Sequence, residues 1–338
     1  MNDELHPISL AQVLASDSPL DGELRVQCLA NDDARTAQGK PYRKLSLSDG
    51  SATVSHSVWS DAHSYTFAAQ MQKGACYALT GTFSKSQFGL ESKGWGGRML
   101  EGDDRTAVFA GPPALREKQE RDWLALTRCV AECPDTPLRY LAQRLLSDHE
   151  AAFRRAAAAR GNHHARRGGL VEHVSLMAQS AVALCGVYPE LRRDLMVTAI
   201  VFHDVGKIIE NQYEAEGFEM PFSYAAECYG HIAIGVQMAH NLWKTLPEET
   251  QKAERRLLDA LSHCILAHHG QLEWGSPVEP KLPEAAAIHF IDNLDAKLEM
   301  MRAALAGAKR LAPGVIERVR PFGHNLLETP PLPPPSAA

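Results

Sequence analysis

The hydrophobic period of the chain changes partway along. From Asp21 to about Asp104 apolar positions alternate with polar ones: Leu24, Val26 and Cys28, then Leu45 and Leu47, then Val54 and Val58, then Tyr77, Leu79, Gly81 and Phe83. A period of two is the mark of half-buried strands. Turn signals separate the runs at Gln38-Gly39-Lys40-Pro41, Ser48-Asp49-Gly50 and Lys73-Gly74. Short antiparallel strands at this spacing predict a small β-barrel or sandwich. The glycines between Gly89 and Gly97 break the alternation, so a regular closing strand is not expected there. Gly111-Pro112-Pro113 ends the pattern, and a helical period follows nearly to the end. Thr136 stands as a cap before Pro137 at a first helical position, with Leu138, Leu141 and Leu145 behind it. Glu150 to Arg160 reads as an alanine-rich helix, and Pro330 to Pro335 as part of an extended, disordered tail.

These shifts divide the chain into an N-terminal extension (1–20), a barrel (21–105), a linker with a connecting helix (106–135), an all-α domain (136–320) and a Pro-rich tail (321–338). The fold class is therefore multi-domain α and β. A length of 338 residues with 45% hydrophobic and 22% charged content suits two soluble domains. The net charge of −6 excludes a generally basic nucleic-acid-coating protein and leaves a local basic groove open. The longest apolar runs, such as Leu195 to Phe202, fall short of the roughly 20 residues that span a bilayer. Residues 1–20 hold no signal core, so the expectation is a cytoplasmic protein without a membrane partner. The seven cysteines are odd in number and lack framework spacing, which suits reduced thiols.

Histidine carries the chemistry: eleven of the fifteen lie between His149 and His289, and only three precede them. His173 follows Gly168-Gly169 on an apolar stripe with Leu170, Val174 and Met177. His203 and Asp204 stand side by side at the end of the apolar run Leu195 to Val205, followed by Gly206 and Lys207. His231 opens an amphipathic stretch, His268-His269 ends another, and Asp292 lies within Ile288 to Leu294. Each case alone has a plain structural reading: a core histidine, an Asp204–Lys207 salt bridge, or Lys207 as a cation at a helix C-terminus. Five helices each bringing imidazole or carboxylate into apolar surroundings are hard to explain as packing, because such groups are costly to bury unless paired or metal-bound. Mixed imidazole and carboxylate donors suit a divalent transition metal, with two ions and Mn as the leading expectation and Fe, Co, Ni or Zn as alternatives. Two ions that share a carboxylate can clamp the attacking and leaving oxygens of a phosphoryl displacement.

Two resemblances sharpen this reading. The run Gly39 to Trp59 (G-K-P-Y-R-K-L-S-L-S-D-G-S-A-T-V-S-H-S-V-W) resembles OB-fold barrels that bind single-stranded nucleic acid. In such barrels bases stack on exposed aromatics beside a basic groove, which makes Tyr42, Trp59, Phe83 and Phe88, with Lys40, Arg43, Lys44 and Lys85, the candidates. The order H…HD…H…HH…D is that of the HD superfamily of metal-dependent phosphohydrolases. Asn162-His163-His164, Gly168 to His173, His268-His269-Gly270-Gln271-Leu272-Glu273-Trp274-Gly275-Ser276-Pro277-Val278 and Asp292 to Lys297 resemble the YhaM-type bacterial 3'-5' exoribonucleases.

That resemblance implies an OB-fold followed by an HD domain. One metal would be held by His173, His203, Asp204 and Asp292, with Asp204 bridging to a second held by His231, His268 and His269. Lys207 would stabilise charge at the scissile phosphate. Arg166 and Arg167, nearest the first ligand helix among Arg154, Arg155 and Arg160, are candidate phosphate contacts. His163 and His164 fall in a shared motif without an assigned role. The implied substrate is single-stranded nucleic acid, RNA before DNA, and a homo-oligomer is compatible. Two other functions fit the same residues: hydrolysis of small or cyclic nucleotides, and non-catalytic single-strand binding.

Overall fold

The computed structural model describes residues 6–330. In chain order, the N-terminal half holds β1 (Pro7–Ile8), α1 (Leu10–Ala15), β2 (Leu20–Arg35), β3 (Pro41–Ser48), β4 (Thr53–Trp59), α2 (Tyr65–Gln70), β5 (Cys76–Ser86) and β6 (Gly89–Leu100). The sheet order is β1-β2-β3-β4-β6-β5, and β5 pairs back onto β2. The long β2 makes this return: residues 20–27 pair with β5 and residues 27–35 with β3, with a register shift between Cys28 and Ala30. The alternating residues Leu24, Val26, Cys28, Leu45, Leu47, Leu79 and Phe83 point into one core. Phe83 is fully buried there, which removes it as a stacking surface for bases.

Two further expectations change. Residues 6–20 are part of this core, since α1, held by a Ser9–Gln12 capping box, lays Leu10 and Val13 into it. The glycine-rich 89–97 segment does form strand β6, paired along β5. Its parallel contact with β4 is a single pair, His56 with Leu90, and the buried His56 ring bridges the two strands from Leu90 O (2.8 Å) to Ser92 Oγ (3.0 Å).

The helical half comprises α3 (Gly102–Phe109), α4 (Pro113–Ala131), α5 (Pro137–Phe153), α6 (Gly169–Val187), α7 (Arg193–His203), α8 (Lys207–Glu210), α9 (Tyr224–Trp243), α10 (Glu248–Ala253), α11 (Arg255–Ala267) and α12 (Pro283–Gly307). At its centre α7 packs against α5, α6, α9, α11 and α12. Every residue from Asp194 to Ile208 is buried, so this helix is hydrophobic on all sides until it ends on His203 and Asp204. The stretch expected to be a linker with a connecting helix, 106–135, supplies that helix as α4, which inserts Trp123, Leu126 and Val130 into this core. The Glu150–Arg160 helix stops at Phe153 instead, and Ala156, Ala157 and Ala158 run on as buried irregular chain. Among the described helices, α6 alone is long and apolar enough to cross a membrane by composition. Its Leu170, Val174, Met177 and Ala178 are fully buried in the helical core, where it packs on α4, α7 and α12.

A small sheet, β7 (Arg310–Ala312), β8 (Val315–Ile316) and β9 (Leu326–Leu327), packs Ile316 and Leu326 against Ala304 of α12. The expected tail from 321 is thus ordered as far as β9, and Pro331 to Pro335 lie outside the described residues. The two halves share a third core in which Cys76, Ala78 and Leu100 meet Phe109, Ala157, Tyr213 and Phe218. There Gln27 Oε1 accepts a hydrogen bond from the Phe218 backbone N–H at 2.9 Å.

Candidate metal centre

Five helices deliver the histidines and aspartates to one point. The sharp entry to α6 at Gly168 places His173 one turn in, fully buried. The C-terminus of α7 supplies His203 and its cap residue Asp204. In α9 the helix is broken at Gly230 (φ 69°, ψ 160°), a conformation open to glycine and strained for other residues, so that His231 starts a fresh segment. His268 caps α11, with His269 next to it, and Asp292 projects from α12.

The carboxylate of Asp204 organises the cluster. Its Oδ2 lies 3.7 Å from His173 Nε2, 3.4 Å from His203 Nε2 and 2.8 Å from Lys207 Nζ. Its Oδ1 faces the other way, 3.4 Å from His231 Nε2 and 3.8 Å from His268 Nε2. Asp292 Oδ1 is 3.3 Å from His173 Nε2. Donor atoms gather within 4.8 Å of one another in two groups that flank Asp204: His173, His203 and Asp204 itself, and His231, His268 and His269. His163 joins His173 and Asp292 in a further group of this kind.

The hydrogen bonds show which ring nitrogen each histidine presents. Nδ1 meets the Asp295 carboxylate in His173 (2.7 Å), Ile200 O in His203 (2.7 Å), Glu210 in His231 (2.9 Å), Ile265 O in His268 (2.7 Å) and Trp274 O in His269 (3.0 Å). Each Nδ1 is therefore engaged, and Nε2 is turned to the shared interior, the arrangement of metal-binding histidines held by outer acceptors. Asp204 Oδ1, His231 Nε2 and His268 Nε2 are buried and have no hydrogen-bond partner. Leaving such a group unmet costs about 1–3 kcal/mol each, a cost that coordination to a cation removes. The donor set thus fits divalent transition metal.

The electrostatics agree. Burial opposes ionisation of Asp204, yet Lys207 and His203 outweigh it and hold the acid well below the usual carboxylate range. Asp292 is held low in the same way by His173. Burial drives His268 well below its ordinary value and lowers His269, so both rings are neutral and free to coordinate. Burial and the neighbouring His173 push His163 down to about 4. His173 goes the other way: burial works against its charged form, but Asp292 and Asp295 raise it to about 9. Asp292 and Asp295 therefore place negative potential around the fully buried His173, a potential that favours a bound cation.

Lys207 is the first residue of the four-residue α8, and its charge pairs with Asp204 at 2.8 Å. Arg166 and Arg167, expected as phosphate contacts, are both held by groups of the protein itself. Arg166 pairs with the fully buried Glu172 (2.5 Å) and with Glu299 (2.7 Å). Arg167 donates to the carbonyls of Glu214 (2.6 Å) and Ala215 (2.9 Å) and braces that loop. Sequence reasoning missed Glu210 and Asp295. Asp295 bonds both His173 and His164 (2.8 Å to His164 Nε2), and its spacing of three from Asp292 on one helix face was the available signal.

Gly206 sets the spacing between two ligand helices. A methyl group there would come within 2.2 Å of the His231 carbonyl oxygen. Gly206→Ala should push α9 away from Asp204, lowering turnover on the order of 10²-fold and stability by about 1–3 kcal/mol. Hydrolysis rates and thermal unfolding of the purified variant check both.

The chain matches the HD domain family over residues 170–297, a span that holds all seven candidate ligands. The 3'-5' exoribonuclease YhaM of Bacillus subtilis is 31% identical over 288 residues, 82% of this chain and 84% of the relative. The protein of the same name from Halalkalibacterium halodurans is 30% identical over 305 residues, 86% and 88% of the two chains. The chain belongs to the YhaM 3'-5' exoribonuclease family. It is accordingly an HD-type hydrolase of phosphoric ester bonds.

Proposed function

We propose that this member of the YhaM family removes nucleotides from the 3' end of single-stranded RNA by hydrolysis at a two-cation centre. The observation that carries the reading is Asp204, whose two oxygens face separate imidazole groups while Oδ1, His231 Nε2 and His268 Nε2 lie buried without a partner. His173, His203, Asp204 and Asp292 would hold one ion and Asp204, His231, His268 and His269 the other, with manganese the leading candidate. Bound there, the cations would acidify a water to form the nucleophile and offset the charge of the phosphate. Lys207 keeps Asp204 ionised and adds a positive charge for the phosphate oxygens. Glu210 and Asp295 orient His231 and His173 for coordination. Glu210→Gln should weaken cation binding about 10–100-fold, read by metal titration.

The strand pairing supports an OB-fold reading of the N-terminal half, because β2-β3-β4-β6-β5-β2 forms a circuit. On its surface Tyr42 and Trp59 face each other across β3 and β4, ring centroids 4.9 Å apart, with Lys40 5.7 Å from the Trp59 ring. Trp59 is 42% exposed, as a base platform needs. Near the metal centre the exposed Tyr224 and Tyr229 stand on the segment leading into His231, and Trp274 beside His269 offers another face. The free cysteines suit the reducing cytoplasm, which is where we place the activity.

The test is hydrolysis by manganese-loaded protein of end-labelled single-stranded RNA and DNA, 3'-blocked RNA, mononucleotides and cyclic dinucleotides. The expected result is stepwise shortening of RNA from an open 3' end. Intact polymers together with cleaved cyclic or small nucleotides would replace this reading with the small-molecule hydrolase.

A further inference from the structure

A cavity of about 200 Å³ lies where the two halves meet, away from the metal ligands in its lining. Gly50 from the β3–β4 turn, Gly111 and Leu115 around the start of α4, and Arg154, Arg155 and Arg167 enclose it. Arg154 is neutralised by Glu120 and Glu150. Arg155 and Arg167 form no ion pair among the described residues, and the Arg155 Nε is buried without any hydrogen-bond partner. Burial, with the charge of Arg155 added, pushes Arg167 down to about 10, the response of a cation lacking a counter-charge. The start of α4 adds to the field. This helix of 19 residues opens on Pro112-Pro113, which have no N–H, and has no side-chain cap and no acidic residue in its first turn, so the amides of Ala114 and Leu115 lack a partner inside the helix. Arg155, without ion pair or Nε partner, and Arg167, whose guanidinium is held by the carbonyls of Glu214, Ala215 and Gly217 but faces no carboxylate, put two net positive charges beside one cavity, the components of an anion site.

We infer that this cavity binds a phosphate group. The chemistry is shared by two sources: a backbone phosphate of a strand crossing between the halves, and the phosphate of a free mononucleotide. The inference stands independently of the substrate reading above, because it needs neither cation nor hydrolysis.

Thermal unfolding of the metal-loaded protein in orthophosphate, against chloride at matched ionic strength, tests it. Phosphate also meets the metal centre, so the decisive quantity is the part of the response that cavity variants remove. Wild type should gain roughly 2–4 °C in Tm once phosphate exceeds Kd about tenfold. Arg155→Gln should lose most of that gain. Leu115→Glu, which supplies a carboxylate from within, should raise Tm without phosphate and respond no further. If Arg155→Gln and Leu115→Glu keep the full wild-type response, the inference fails. The source follows from RNA binding by anisotropy in a non-cleaving Asp204→Asn background. A strand phosphate predicts that Arg155→Gln lowers the slope of log Kd against log salt by about 0.7. A free nucleotide predicts an unchanged slope, with a Tm response to 5'-mononucleotide that Arg155→Gln removes.

Discussion

Asp204→Asn should lower turnover by about 10³–10⁴-fold, the size of several kcal/mol of lost charge stabilisation. On one side the new NH₂ group would donate to the Nε2 lone pairs of His231 and His268 that a cation needs, and on the other it would face Lys207, itself a donor. The change also strands Lys207, which is only 8% exposed and whose ion pair is with Asp204. Removing one partner of a buried pair costs about 3–5 kcal/mol, so Tm should fall along with activity. Asp204→Asn/Lys207→Met separates the two effects by restoring most of the stability without restoring hydrolysis. Elemental analysis of the single and double variants should find cation content reduced in both. Turnover by Asp204→Asn within tenfold of wild type would remove Asp204 from the centre of the chemistry.

The residues of this site were legible in the sequence because each one breaks the pattern around it. His203-Asp204 interrupts a run that is otherwise apolar, and α7 proves to be buried on all sides, so no solvent-facing explanation was open to the pair. His173, His231, His268-His269 and Asp292 stood out likewise, and the structure brings all of them together. The residues behind them were hidden. Asp295 and Glu210 look like ordinary surface carboxylates on amphipathic helices, and only the fold reveals that they bond His173 and His231. Phe83 was misread for the opposite reason: strand alternation marks which residues share a face but not which face is the inside.

In the fold, the change of hydrophobic period located the two halves, and composition misplaced the edges. α4 reads as a connecting helix outside the domain because Arg116-Glu117-Lys118-Gln119-Glu120-Arg121-Asp122 masks the stripe Trp123, Leu126 and Val130 that it buries. The alanines after Phe153 carry high helix propensity, yet they are needed as small residues where chain passes through the interior, and packing overrides propensity. The 89–97 glycines, read as a break, serve a strand pressed closely on its neighbours: a methyl at Gly97 would meet Ala78 O at 2.4 Å.

Arg166 gives the clearest contrast between the two readings of one residue. As a phosphate contact, its loss should lower the slope of log Kd against log salt by about 0.7 and leave stability alone. As the partner of Glu172, its loss leaves a fully buried carboxylate with less compensation, and Arg166→Met should destabilise the fold by about 3–5 kcal/mol. Glu172 also bonds Gln119 (3.0 Å) and Lys118 (2.7 Å), so Arg166→Met/Glu172→Gln should recover much of the loss. The pH dependence has a definite sign. Burial resists ionisation of Glu172, but His164, Arg166 and Lys118 outweigh it and hold the acid far below its ordinary value. A depressed carboxylate adds stability above its unfolded pKa, about 4.3, and loses it as pH falls through the folded value. Wild-type stability should therefore decline as acid is added below about pH 5, while Arg166→Met, in which Glu172 titrates closer to its unfolded pKa, shows the smaller decline. Urea unfolding of both proteins across that range measures the difference, and equal slopes with an undisturbed Tm would return Arg166 to the nucleic-acid surface.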